Sequence, residues 1–213
     1  TGDPDDAVQN NVAMVLDYDN YATDSYFGIN DVDVEEQTVR FNATYAHYFT
    51  QRSSLNAGVS GYVRMLDNDY LQKSAVSNHV WDIEDEAILA EPGIFAEYTY
   101  QIEEKFSLVA GIRGDYAMVG KNYYVKDAEN KFLLTPRAHI KWNITPRTTL
   151  RASAGMGSRR QNLITDNIWM MTTSRNIRYL DGFVEQGDDL EQALTVGGSL
   201  SQTFPLAGDD QAT

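Results

Sequence analysis

The chain has no cysteine, so disulfides, thiolate nucleophiles and CxxC zinc or redox sites are excluded. No apolar stretch approaches the roughly 18 residues of a membrane-spanning helix, and no signal peptide opens the chain. It therefore reads as a mature or internal segment, and any membrane crossing must use strands. Basic residues are scarce: 17 Lys plus Arg stand against 31 Asp plus Glu, a net charge of -14. No basic stripe forms, which argues against nucleic acid as a partner, because phosphate contacts need clustered cations. Enzyme signatures are missing too. His47, His79 and His139 make no HExxH pair, there is no GxSxG elbow, and Gly155-Met156-Gly157 lacks the third glycine of a dinucleotide loop. No catalytic residue, cofactor or metal is assigned. The alternating Asp31, Asp33 and Glu35 and the cluster Asp82, Glu84, Asp85 and Glu86 offer the hard oxygens that calcium takes. They lack an EF-hand-like glycine and read as solvated acids.

What the chain does have is a period of two. From Thr38 to Phe49, Val39, Phe41, Ala43, Tyr45 and Phe49 fall on one face of a strand and Thr38, Arg40, Asn42 and Thr44 on the other. After Gln51-Arg52-Ser53 the pattern resumes, with Leu55, Ala57, Val59, Val63 and Met65 opposing Asn56, Ser60 and Arg64. This is a hairpin, and it recurs. Ile94, Ala96, Tyr98 and Tyr100 lead through Glu103-Glu104-Lys105 to Phe106, Leu108, Ala110, Ile112 and Tyr116. Pro136, Ala138, Ile140 and Trp142 lead through Thr145-Pro146-Arg147 to Leu150, Ala152, Ala154 and Met156. A last run holds Leu194, Val196, Leu200 and Phe204, and a weaker first one lies near Val12 to Leu16.

The runs are roughly 9 to 13 residues, where a tilted strand needs about 9 to 11 to cross the hydrocarbon layer and soluble strands average about 5 or 6. The pattern predicts an all-β, antiparallel transmembrane β-barrel segment of about eight strands. Phe49, Tyr100, Phe106, Trp142 and Phe204 share the apolar phase beside the short turns, as an aromatic girdle at one interface would. The opposite phase carries Arg64, Glu97, Arg113, Asp115, Arg137, His139, Lys141 and Arg151, which are predicted to face the lumen. Short turns near residues 51, 103 and 146 are predicted to be periplasmic, and 19–36, 67–87, 119–131 and 158–190 to be extracellular loops. Function concentrates on loops held by a rigid wall. The longest loop supplies the ligand-binding candidates Arg159, Arg160, Asn162, Trp169, Arg175, Arg178 and Tyr179. Arginine with aromatics suits an anionic chelate, a sugar or a macrocycle; the same residues also suit packing of the loop against the inner wall.

The ordered string Glu91-Pro92-Gly93-Ile94-Phe95-Ala96-Glu97-Tyr98-Thr99-Tyr100, Ala110-Gly111-Ile112-Arg113-Gly114-Asp115, Thr135-Pro136-Arg137 and Leu150-Arg151-Ala152-Ser153-Ala154-Gly155-Met156-Gly157 resembles the barrel of a TonB-dependent outer-membrane receptor, closest to the Bacteroidetes branch. Arg159 to Asn167, with Thr173-Ser174-Arg175 after it, is similar to the loop those receptors carry next. The resemblance covers 88–204 well and the first 87 residues loosely. It implies an outer-membrane location, a barrel of roughly 22 strands, a plug domain, coupling through the plug to an energy-transducing TonB protein, and uptake of a scarce small ligand such as a siderophore, cobalamin or a glycan. No plug, TonB box or closing aromatic strand is found in the chain, which reads as one consecutive part of the wall. A passive porin-like or structural barrel, or a soluble β-rich carbohydrate-binding module, shares the strand pattern.

Overall fold

The computed structural model describes residues 10–73, 80–123, 128–160, 165–173, 175 and 190–204. Among them, eight strands form one sheet in sequence order, every neighbouring pair antiparallel. The strands are β1 (Asn11–Phe27), β2 (Asn30–Thr50), β3 (Ser53–Lys73), β4 (Val80–Ile102), β5 (Phe106–Val119), β6 (Lys131–Thr145), β7 (Thr148–Arg160) and β8 (Leu190–Gln202). A 3-10 helix covers Thr165–Met171.

Residues directly opposite one another in a ladder share a face, so the register carries each strand's alternation across the sheet. One row runs Ala57, Ala96, Ile112, Pro136; another runs Phe106, Trp142, Leu150, Leu200. Met14, Ile94, Leu194 and Val196 on this phase are all more than two-thirds exposed. Apolar side chains left open to this degree along a whole sheet face need an apolar solvent. On β3 the band runs from Leu55 to Met65, about 25 Å for a strand rising about 3.3 Å per residue and tilted near 45°.

Above that band the polarity of the two faces inverts. On β2, Val32 and Val34 turn inward and are fully buried, while Asp31, Asp33 and Glu35 turn outward and are exposed. Likewise Leu66 and Tyr70 on β3, and Ala87 and Leu89 on β4, are buried on the inner phase. Their outward neighbours are Asp67, Asp69, Glu84 and Glu86, all exposed. The register then lines up Asp24, Asp33, Asp69 and Glu84 across four strands, and Glu35, Asp67 and Glu86 across three. Like charges directly opposite are unfavourable; water and salt screen them here. Among the described residues, no group of three or more such side chains is placed to hold a metal ion.

These observations correct three expectations. The strands are 13 to 23 residues long, not roughly 9 to 13, because they continue beyond the membrane band. Much of 19–36 and 67–87 is therefore strand, and 158–160 belongs to β7. Nor do all the short turns lie at one end. The β1–β2 connection at the outer end is only Gly28–Ile29, with Gly28 at φ 68°, a left-handed conformation that glycine adopts without strain. The acids misled the loop assignment because Asp and Glu are depleted in ordinary strands, yet here they alternate with valine and sit on a solvated face.

The two-face assignment can be tested in the full-length protein. Ile112→Arg puts a cation against lipid, at about 2–4 kcal/mol, and should reduce the heat-modifiable barrel band recovered from outer membranes. Asn56→Arg, on the inner phase opposite Glu97, should assemble normally; equal tolerance of both would sink the assignment.

Candidate functional site at the lumenal mouth

The eight residues predicted to face the lumen share one face of the sheet, and cross-strand rows bring several together. Glycines in these rows act as saddles. Glu97, Gly111 and Arg137 are aligned across β4, β5 and β6, and Arg137 reaches over Gly111 to donate from Nε (2.9 Å) and Nη2 (2.5 Å) to Glu97. Ser60, Gly93 and Asp115 form the next arrangement. There Arg113 donates to Asp115 (2.8 Å) and to the Ser60 hydroxyl (2.5 Å), and Asp115 is almost fully buried. A Cβ at Gly93 would collide with Asp115 Oδ1. Buried charge is tolerated when it is paired and hydrogen-bonded, and this pair is both. His139, Lys141 and Arg151 lie nearer the short turns, around an open cavity of about 410 Å³ that Ser107, Ser153 and Ser199 also line.

Towards the outer end, two small apolar cores cover the inner face. In one, Val32, Val34, Tyr70 and Met171 pack together with Phe27 and Ile168. In the other, Leu66, Ala87 and Leu89 meet Val119 and Tyr123. The first core means that the segment after β7 crosses the lumenal face and docks on β2 and β3. Polar contacts fix it: Asn30 Nδ2 donates to the Met171 carbonyl (2.6 Å) and the Thr173 carbonyl (3.0 Å). Gln72 Nε2 donates to Asn30 Oδ1 (2.5 Å) and to the Arg175 carbonyl (3.3 Å). Asn30 and Gln72 are directly opposite in the ladder and fully buried. The alternation of β2 left no sign of this tether; an amide pair at strand ends reads as ordinary turn chemistry.

The ligand-binding candidates separate. Arg159 and Arg160 end β7 instead of opening a loop, and Arg159 is paired with Asp166 at 2.7 Å. Arg160 stacks over the Tyr123 ring. Trp169 is mostly exposed on the 3-10 helix, and Arg175 is exposed while its carbonyl receives Gln72. Asn162, Arg178 and Tyr179 lie outside the described residues. Strand β7 pairs with β6 only as far as Gly155. Beyond that point Ser158, Arg159 and Arg160 join Tyr62, Arg64, Glu91 and Tyr123 around a cavity of about 220 Å³. An arginine of β3 and two at the end of β7 thus share one space.

Residues 4–163 match the model of the outer membrane protein beta-barrel family. The chain belongs to that family. Its place is accordingly the outer membrane, with lipid against the apolar face, which sets aside the soluble carbohydrate-binding module. No curated protein matches the sequence. Among solved structures the chain is similar to the copper transporter OprC, with a TM-score of 0.60 and 16% identity over 91% of this chain. It spans 33% of that protein's length. At this identity the likeness is one of fold, and it agrees with an antiparallel membrane wall.

The geometry makes two substitutions informative. Gly93→Ala should destabilise the folded barrel by about 1–3 kcal/mol through overpacking, whereas Gly157→Ala, with nothing within 4 Å of the added carbon, should change it far less. Urea unfolding of the detergent-folded full-length protein compares them, and equal effects would refute the saddle. Asn30→Ala removes two hydrogen bonds to the docked segment and the Oδ1 acceptor of Gln72, at about 1–3 kcal/mol. Hydrogen exchange across 165–171 should rise while that of β5 and β6 stays unchanged; unaltered protection would deny the tether.

Proposed function

We propose that the chain is part of the wall of a TonB-dependent receptor that takes up a scarce ligand (a siderophore-bound metal, cobalamin or a glycan) across the outer membrane, without catalysing a reaction. The observation that carries this reading is the lumenal mouth. A tethered segment crosses it, and behind lies a cavity lined by arginine and tyrosine instead of a uniformly wet channel. Selective capture needs a few convergent polar groups on a rigid frame, and the strand rows supply that frame. Similarity to a transporter three times as long agrees with a larger barrel. In such a receptor, Arg137–Glu97 and Arg113–Asp115 would stand against the plug, and the plug would pass the energy-transducing protein's pull to the ligand. A passive porin-like barrel is the second reading, since an inward-folded segment also narrows a pore.

Growth of a strain dependent on the full-length protein, on limiting iron, copper, cobalamin or single glycans, should fail for one nutrient when the gene is deleted. It should fail for the same nutrient when the energy-transducing protein is removed. Growth that needs the barrel but not the energy source would favour the passive pore.

A further inference from the structure

Strand β4 outlasts its neighbour on one side. It pairs with β3 from Val80 onward, whereas its pairing with β5 begins only at Leu89, opposite Val119. The last backbone bond on that side is donated by Gly120 N to the Ile88 carbonyl at 2.8 Å. Gly120 allows this close approach, since a Cβ there would stand 2.7 Å from the Ile88 oxygen. The chain then turns to the inner face, where Tyr123 packs against Leu66, Ala87 and Leu89. Over 81–87, about 23 Å at about 3.3 Å per residue, β4 thus has a ladder on one side alone among the described residues.

Alternation says which groups face the open side. Gln101 donates to Arg52 towards β3 and Ile88 accepts from Gly120 towards β5, so odd-numbered residues of β4 bond β3, and Asp82, Glu84 and Glu86 turn their N–H and C=O outward along the edge. The side chains of these three are exposed on the outer face and make no ion pair among the described residues. An open edge is a template for another strand. Acids of one sign guard it against a second copy of the chain, whose own β4 would set carboxylates opposite carboxylates, and leave it open to a strand of opposite charge.

We propose that this edge docks an extended cationic segment of another protein, which adds as an antiparallel strand with Lys or Arg opposite Asp82, Glu84 and Glu86 and uncharged residues on the phase between. The added cations extend rows that already hold Asp31, then Asp24, Asp33 and Asp69, then Glu35 and Asp67. Opposite charges directly across a ladder stabilise it. This surface is independent of the uptake reading, because it lies outside the lumen.

The test is fluorescence anisotropy of a labelled eight-residue peptide alternating lysine and threonine, titrated with the full-length protein in detergent. Saturable binding is expected, and a glutamate–threonine peptide should not bind. N-methylation of the lysine amides keeps the charge and removes the donors that face β4, and should weaken binding about tenfold or more; N-methylation of the threonine amides, which point away, should not. Weakening of both alike, of neither, or of the threonine set alone overturns the proposal, as does absence of binding. Hydrogen exchange locates the site: the bound peptide should slow the amides of Asp82, Glu84 and Glu86, and protection confined to other parts of the acidic face would refute the edge. The paired change Glu84→Gln with Glu86→Gln should weaken binding several-fold, and unchanged affinity would remove the acids from the recognition.

Discussion

Inside a bilayer no water is at hand for backbone N–H and C=O groups, so a strand that crosses must hand every one of them to a neighbouring strand. That demand organises this molecule. Antiparallel ladders from β1 to β8 fix the register, and register converts eight separate alternations into two faces. Once Ala57, Ala96, Ile112 and Pro136 lie in one row, one face is lipid-facing throughout, and Arg64, Arg113 and Arg137 have nowhere to go but inward.

The same ladders outlast the membrane. Where β2, β3 and β4 rise out of lipid, the pleat continues but the solvents exchange sides. Water now bathes the outer face, and inward-folded segments dry the inner one. Hence Val32, Val34, Leu66 and Leu89 are buried on the phase that carries Arg40 and Arg64 lower down, and acids occupy the phase that carries Val39 and Met65. Membrane wall and soluble hairpin are one set of strands with two polarity codes, and the change of code between Met65 and Asp67 marks the outer interface.

Charge on the inner face is arranged at three levels of satisfaction. Low on the wall, Arg137 reaches over Gly111 to Glu97, and Arg113 pairs with Asp115 on its own strand while reaching Ser60. Higher up, amides do the work of charges, with Asn30 and Gln72 holding a crossing segment by its carbonyls. Between them, Arg64 lies beside the Tyr62 ring and makes no ion pair among the described residues.

Strand identity, the antiparallel hairpins and the common phase of the eight charged residues were legible in the sequence, because a strand's period of two is strictly local. The lengths of β2, β3 and β4 were written there as well, in Val32-Asp33-Val34-Glu35, but outward acids resemble loop composition unless the reversal of solvents is anticipated. The grouping of Arg64 with Arg160 and Tyr123, the saddle at Gly93 and the docking of Met171 on Val34 were not legible. They join residues far apart in the chain through a curved sheet. The face that each strand turns to lipid is set by the chain alone, since alternation and the cost of charge in lipid act residue by residue. The partners that meet across the lumen were decided by tertiary structure, because only the paired and curved ladders bring those distant side chains within reach.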